Sequence, residues 1–288
     1  MNYGLQLMQA WSPNNGVENV STFLLEAAME AEKSGWDGFF PWDRLYFTCA
    51  PAHIPDSWSV LSASAAKTST IKLGTNVTPV TRRRPQVLAK QLVTIDQISG
   101  GRVILGAGLG GDGQGKGAGE EFTRFGEPSK YRVLAKKADE ALDVILGLWS
   151  GDPFNYEGRF FKVQDVQFLP KPVQEPKIPI WIGAIKNPAL RRAARYDGWI
   201  TGGPCPSVGD PGLSFEEVSE KMKLIERHRE HDFPFDLVYA FEFPETGMSD
   251  FISETQGAQV TWMLDIVSAL RFKTGEAALE YIRRGPPA

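Results

Sequence analysis

The sequence predicts a (β/α)8 barrel, the TIM-barrel architecture, with insertions after the fourth and sixth strands. Short β-rich apolar runs alternate with helix-period segments about eight times, the rhythm of a parallel α/β fold. The 288 residues, 42% of them hydrophobic, suffice for a core of barrel size. No internal repeat is visible, which sets solenoids aside. We read residues 1–288 as a single domain with an insertion at about 151–177.

The first strand lies near Tyr3 to Met8. A helix from about Val20 to Lys33 follows, with Phe23, Leu24, Ala27, Ala28 and Ala31 on one face and Gly35 at its end. "WDGFFPW" is the second strand, "SWSVLSASAAK" the second helix and "IKLGTNV" the third strand. The third helix opens with Pro85, whose missing N–H costs nothing in a first turn. It carries Leu88, Leu92 and Ile95 on one side and stops at Ser99-Gly100-Gly101. "RVILGAG" is the fourth strand. After a glycine-rich loop, "YRVLAKKADEALDVILGLW" is a long amphipathic helix with Leu134, Ala138, Ala141, Leu142 and Ile145 inward. "FNYEGRFFKV" reads as a hairpin turning at Glu157-Gly158, and the Pro-rich "LPKPVQEPKIP" as an extended stretch. "IPIWIGA" is the fifth strand, "NPALRRAARY" a helix, "DGWIT" the sixth strand and "GGPCPSVGDPG" a loop. A helix over 214–231, the strand "FDLVYAF", a helix at about 248–256, the strand "AQVTWML" (258–264) and a helix at about 275–284 complete the set.

Net charge is −4 with acids and bases interspersed, so the chain lacks the concentrated positive field that nucleic acid requires. "TRRRP" is too small a basic cluster to change that. The start, "MNYGLQLMQAW", has no basic region followed by a long apolar run, and no stretch of about 18 apolar residues occurs, so a soluble, cytoplasmic protein with no membrane partner is expected. Cys49 and Cys205 form no CxxC pattern, in keeping with a reducing compartment. His228 and His231 share a helix face with Glu226 and Glu230, which a solvated charged helix explains, so no metal site is expected.

"GAGLGGDGQGKG" (106–117) satisfies two phosphate-binding spellings at once, and neither survives. A dinucleotide fingerprint needs a helix directly after its glycines, whereas Gly113, Gly115, Gly117 and Gly119 continue the loop. The Walker-type reading needs a hydroxyl after the lysine, and Gly117 follows Lys116. For 110–119 a flexible loop is the expectation. At the end of the fourth strand, Gly106, Ala107 and Gly108 offer bare backbone to something flat or bulky.

"LGTNVTPVTRRRPQVLAKQLVTIDQISGGRVILGAGLG" (73–110), "KADEALDVILGLWSG" (137–151), "PVQEPKIPIWIGA" (172–184) and "AARYDGWI" (193–200) together resemble the luciferase-like flavin monooxygenase family. The order R-x-P, helix, S-x-G-R, G-x-G-x-G is the most diagnostic part. The resemblance implies a barrel that holds FMN, or its deazaflavin relative coenzyme F-420 (F420), at the carboxyl ends of the strands. It also implies a non-prolyl cis peptide near Thr75-Asn76-Val77 against which the flavin ring packs, and a homodimer by the family's habit.

The phosphate end has a physical argument as well. Gly183-Ala184 end the fifth strand, and Lys186-Asn187-Pro188 lead into a helix, with Asn187 read as the N-cap. Free N–H groups there, with the Lys186 charge, suit an anion. Asp43, after the second strand, stands where some members carry a histidine near the flavin; it orients substrate or relays a proton, or else pairs with Arg44 or a nearby arginine. Met8, Gln9, Trp11 and Trp42 are candidates for the substrate cavity.

The reading is a flavin-dependent monooxygenase in which reduced FMN and oxygen act on a small organic substrate, with electrons from a separate flavin reductase. The competitor is an F420-dependent hydride-transfer dehydrogenase or reductase. A third reading is a barrel that has lost its flavin and serves as a binding protein.

Overall fold

The computed structural model describes residues 1–287 except 9, 47–51, 112–120, 204, 231–232, 245, 247 and the side chains of 250 and 256. Gln9, Cys49, Lys116, Gly117 and His231, and with them most of the expected glycine-rich loop, lie outside the described residues. In chain order the elements are β1 (Asn2–Leu7), α1 (Val20–Lys33), β2 (Gly38–Pro41), α2 (Ser57–Lys67), β3 (Lys72–Gly74), β4 (Thr78–Pro79), α3 (Pro85–Ser99), β5 (Val103–Gly108) and α4 (Tyr131–Trp149). They continue with β6 (Pro153–Glu157), β7 (Lys162–Gln167), β8 (Ile180–Gly183), α5 (Asn187–Ala193), β9 (Gly198–Gly202), α6 (Phe215–Glu226), β10 (Asp236–Phe241), α7 (Met248–Gly257), β11 (Trp262–Val267) and α8 (Gly275–Arg283).

Neighbouring strands run β3-β2-β1-β11-β10-β9-β8-β5, and β3 also pairs with β5, so the ring closes. The pairings around the ring are parallel. This is the predicted (β/α)8 barrel.

Period-two alternation divides each strand between two cores. Outward residues such as Leu5, Leu7, Phe39, Leu73 and Leu105 meet Leu24 and Ala27 of α1, Leu88 and Leu92 of α3, and Leu142 and Ile145 of α4. Each large side chain so buried contributes about 1.5–3 kcal/mol before ordering costs. Inward residues Phe40, Ile104, Trp181, Ile200, Val238, Ala240, Trp262 and Leu264 fill the barrel. Phe40, Trp181 and Trp262 form a three-ring plug with centroids 5.4–5.8 Å apart. A packed lower barrel leaves only the carboxyl ends of the strands for chemistry.

Local chemistry sets the boundaries. The Asn19 side chain accepts from the Thr22 amide at the start of α1, and Gly100 ends α3 in the left-handed region at φ 68°. The insertion between α4 and β8 is a two-stranded hairpin, β6 against β7, whose turn amides at Arg159, Phe160 and Phe161 donate to the Glu140 carboxylate.

Three expectations shift. The last strand runs Trp262–Val267, not 258–264, because Asp265 continues it instead of ending it. That carboxylate faces outward, fully buried, and is held by Arg271, Tyr281 and the Phe243 amide. The helix expected over 214–231 stops at Glu226, one residue after its last buried side chain, Ile225. Finally, β3 ends at Gly74, and residues 75–77 bend before the chain rejoins β5 through β4.

Candidate functional site

The mouth of the barrel is built from the inward series of each strand. In β1 that series is Gly4 and Gln6, with Met8 just past it; past β2 it reaches Trp42; past β3, Asn76; and in β10 it runs Val238 and Ala240, with Glu242 just past it. Its glycine side comprises Gly106 and Gly108 of β5, Gly183 of β8 and Gly202 of β9.

The body that approaches Gly106 and Gly108 is the protein's own bend. A Cβ on Gly106 would stand 1.8 Å from the Thr75 carbonyl oxygen, and one on Gly108 would stand 2.4 Å from Val77 Cγ2. At Gly183 the nearest atom would be Val77 Cγ1, at 3.3 Å. The bare backbone that the sequence reserves for a ligand is thus filled first by Thr75–Val77. The Asn76–Val77 peptide is cis, within the segment where the family resemblance placed such a bond. Half-buried Val77 packs on the barrel interior and forms a raised floor. Gly202 is exposed, and the nearest atom to its Cβ position is the Ala240 carbonyl oxygen at 3.8 Å.

A polar network fixes the bend from outside. Trp58 Nε1 donates to Thr78 Oγ1 at 3.0 Å, which donates to Asp43 Oδ2 at 2.9 Å, while Thr75 Oγ1 reaches both Thr78 Oγ1 (2.9 Å) and the Gly106 carbonyl (3.2 Å). Inside the mouth, Asn76 Nδ2 donates to Gln6 Oε1 at 2.6 Å.

Asp43 takes the pairing alternative. It is 2% exposed, and Oδ1 accepts from Arg82 Nη2 (2.9 Å) and Arg83 Nη2 (2.7 Å) while Oδ2 accepts from Arg83 Nε (2.8 Å) and Thr78. A carboxylate has about four acceptor positions. All four are used, so Asp43 has none left for a substrate and acts as an anchor. Arg82 continues to Glu121, whose other oxygen accepts the Leu45 amide, and Arg83 continues to Asp56.

The phosphate end is thinner than the sequence reading made it. Lys186, not Asn187, occupies the N-cap position, and no side chain caps the seven-residue α5. Pro188 has no N–H, and the Ala189 amide already donates to the Lys186 carbonyl at 2.8 Å. That leaves the Asn187 amide and the exposed Lys186 ammonium beside buried Ala184.

Of the substrate-cavity candidates, Met8 and Trp42 meet in one small cluster with Ile266 and Cys205. Trp11 does not join them. It is fully buried among the outward core residues, 4.9 Å from the Phe23 ring, because the chain has left the barrel axis by that point.

The sequence reading missed Gln6, Cys205 and Glu242. Glu242 Oε1 accepts from Cys205 Sγ at 3.2 Å and from the Ser207 hydroxyl, and Oε2 accepts from the Ser207 amide at 3.2 Å. Burial, and after it the Glu242 carboxylate, push the Cys205 thiol up to about 11, so it is a protonated donor at neutral pH. The signal was available: in "FDLVYAFE" the period that puts Val238 and Ala240 inward also puts Glu242 there.

Residues 1–231 match the family model described as luciferase-like monooxygenase. Over 198 residues the chain is 34% identical to an F420-dependent glucose-6-phosphate dehydrogenase of Microbacterium testaceum (strain StLB037), covering 68% of this chain and 55% of that one. The chain spans about half the length of the first curated relatives it matches. Among solved structures, a monooxygenase from Streptomyces bottropensis superposes with a TM-score of 0.76 at 19% identity, covering 98% of this chain and 97% of that one. The coenzyme F420-dependent tetrahydromethanopterin reductase of Methanopyrus kandleri superposes with a TM-score of 0.73 at 19% identity and the same coverage. At such identities these two likenesses speak for the fold.

Proposed function

Since the chain belongs to the luciferase-like monooxygenase family, we infer that it is an oxidoreductase that binds a flavin-type tricyclic cofactor in the barrel mouth and acts on a small organic substrate. The observation that carries this reading is the floor at Val77, raised on Gly106, Gly108 and Gly183 beside the open face of Gly202. A planar ring system needs a flat, largely apolar seat with few protruding side chains, and that side of the mouth supplies one. Asn76 and Val77 with Gly183 and Gly202 would hold the ring, the buried Thr75, Gly106, Ala107 and Gly108 back them, and Lys186 with the Asn187 amide would meet an anionic tail beside Ala184. When bound, the cofactor supplies the electron chemistry. The chain's part is to orient it, exclude water and present the substrate from the opposite side, where Met8, Trp42 and Gln6 stand.

Two cofactor readings stand: reduced FMN with oxygen, served by a separate reductase, and F420 with hydride transfer. The 34% identical relative named as an F420-dependent dehydrogenase supports the second. In either case we place the protein in the cytoplasm as a homodimer. Equilibrium titration with FMN and with F420, read by cofactor fluorescence, tests the reading. One of the two is expected to bind well below about 1 mM. If neither does, the chain is a flavin-free barrel.

A further inference from the structure

Beside Gly202, on the strand that pairs with β9, Glu242 is the inward end of β10, half-buried and one residue past the strand. Its three hydrogen bonds, from Cys205 Sγ and the Ser207 hydroxyl to Oε1 and from the Ser207 amide to Oε2, come from a single short segment behind it. That backing fixes the carboxylate's direction. A carboxylate offers about four acceptor positions, so one, on Oε2, remains. The thiol of Cys205 also packs in the apolar cluster with Met8, Ile266 and Trp42, which puts the carboxylate beside that cluster at the barrel mouth.

We propose that Glu242, backed by Cys205 and Ser207, is the residue that selects the substrate at this mouth, and that it takes a molecule presenting an amine or hydroxyl donor in preference to a phosphorylated one. The proposal rests on the reading of the mouth as a cofactor-binding active site. A fixed acceptor with one open position rewards an N–H or O–H, most of all a charged ammonium. It repels a phosphate dianion brought to the same place. Glucose 6-phosphate, the substrate named for the similar dehydrogenase, carries such a dianion. On this chain's geometry it is disfavoured.

Cys205 reports the local charge without cofactor or substrate. With Cys49→Ser, Cys205 is the one remaining cysteine of the two in the sequence. Its modification rates with a trimethylammonium-bearing and a sulfonate-bearing methanethiosulfonate are each normalised to a free small thiol. Both reagents draw on the same thiolate fraction, so their ratio does not depend on the thiol pKa. The cationic reagent is expected to be favoured about tenfold, and Glu242→Gln to bring the ratio near one. A ratio near one in the parent, an equal ratio in both proteins, or no modification of Cys205 overturns the proposal.

A second arm uses protein loaded with whichever cofactor binds and measures affinities for isopropylamine, isopropanol and isopropyl phosphate. The amine is expected to bind at least about tenfold more tightly than the phosphate, with that preference lost in Glu242→Gln. Tighter phosphate binding, or binding of none of the three, counts against it. Failure of both cofactors to load sinks the functional reading and the selecting role with it, while the thiol ratio, read without them, separately tests whether Glu242 sets the charge at this mouth.

Discussion

Gly106 and Gly202 face the same mouth for opposite reasons, and a single methyl group distinguishes them. At Gly106 a Cβ would collide with the Thr75 carbonyl at 1.8 Å, a backbone atom fixed by the closed ring. Overpacking of a tight site costs about 1–3 kcal/mol, and a fixed backbone neighbour places Gly106→Ala at or above the upper end. Gly202→Ala meets nothing closer than 3.8 Å and should keep its thermal midpoint while weakening cofactor binding by narrowing the open face. Thermal unfolding of both variants, with cofactor titration of the second, checks the pair. A stable Gly106→Ala protein would mean that the bend at 75–77 is free to move. The sequence marked Gly106 as bare backbone but was silent on what covers it, since the covering atoms lie some thirty residues away in the bend after β3, and it read Gly202 only as the start of a loop. Glu242 was legible from alternation alone and was overlooked because a single acid after a strand carries no motif.

Among the elements, α1 starts at the Asn19 cap and α3 runs from Pro85 to Gly100, because those signals are local. The last strand was misplaced because a buried carboxylate looks like a strand end until Arg271 and Tyr281, from the segment after it, are seen to hold it. Asp43 has the same lesson. Its partners come from the segment between β4 and α3, and they turn an apparent proton relay into a clamp joining three loops: the one after β2, the one before α3 and the one at Glu121. Breaking a buried pair costs about 3–5 kcal/mol. Arg82 and Arg83 keep Glu121 and Asp56 as partners, so Asp43→Asn is expected near the lower end, about 3 kcal/mol, with weaker cofactor binding as the bend at Thr78 loosens. Denaturant midpoints and cofactor titration measure both effects. Undiminished stability with lost turnover and a displaced pH profile would return Asp43 to a chemical role.

Closure of the ring is a property of the whole chain, and the recognised likeness over residues 1–231 stops before it is complete. The missing strands β10 and β11 lie between β9 and β1, so without them both neighbours become open edges in a sheet whose faces are apolar. The interior would also lose Val238, Leu264 and Trp262, the third ring of the plug, leaving Phe40 and Trp181 facing water. Eight alternations announced a barrel from the sequence, but only the register between Asn2 and Trp262 shows that the first strand needs the last. A protein truncated after residue 231 is therefore expected to aggregate on expression. The full chain should unfold in one transition, with far-ultraviolet dichroism and tryptophan fluorescence coinciding, because Trp36, Trp181, Trp199 and Trp262 report from both cores. A soluble truncated protein with the helical signal of its remaining elements would show that the first six units fold as an open sheet, and that β10 and β11 dock onto a body already formed.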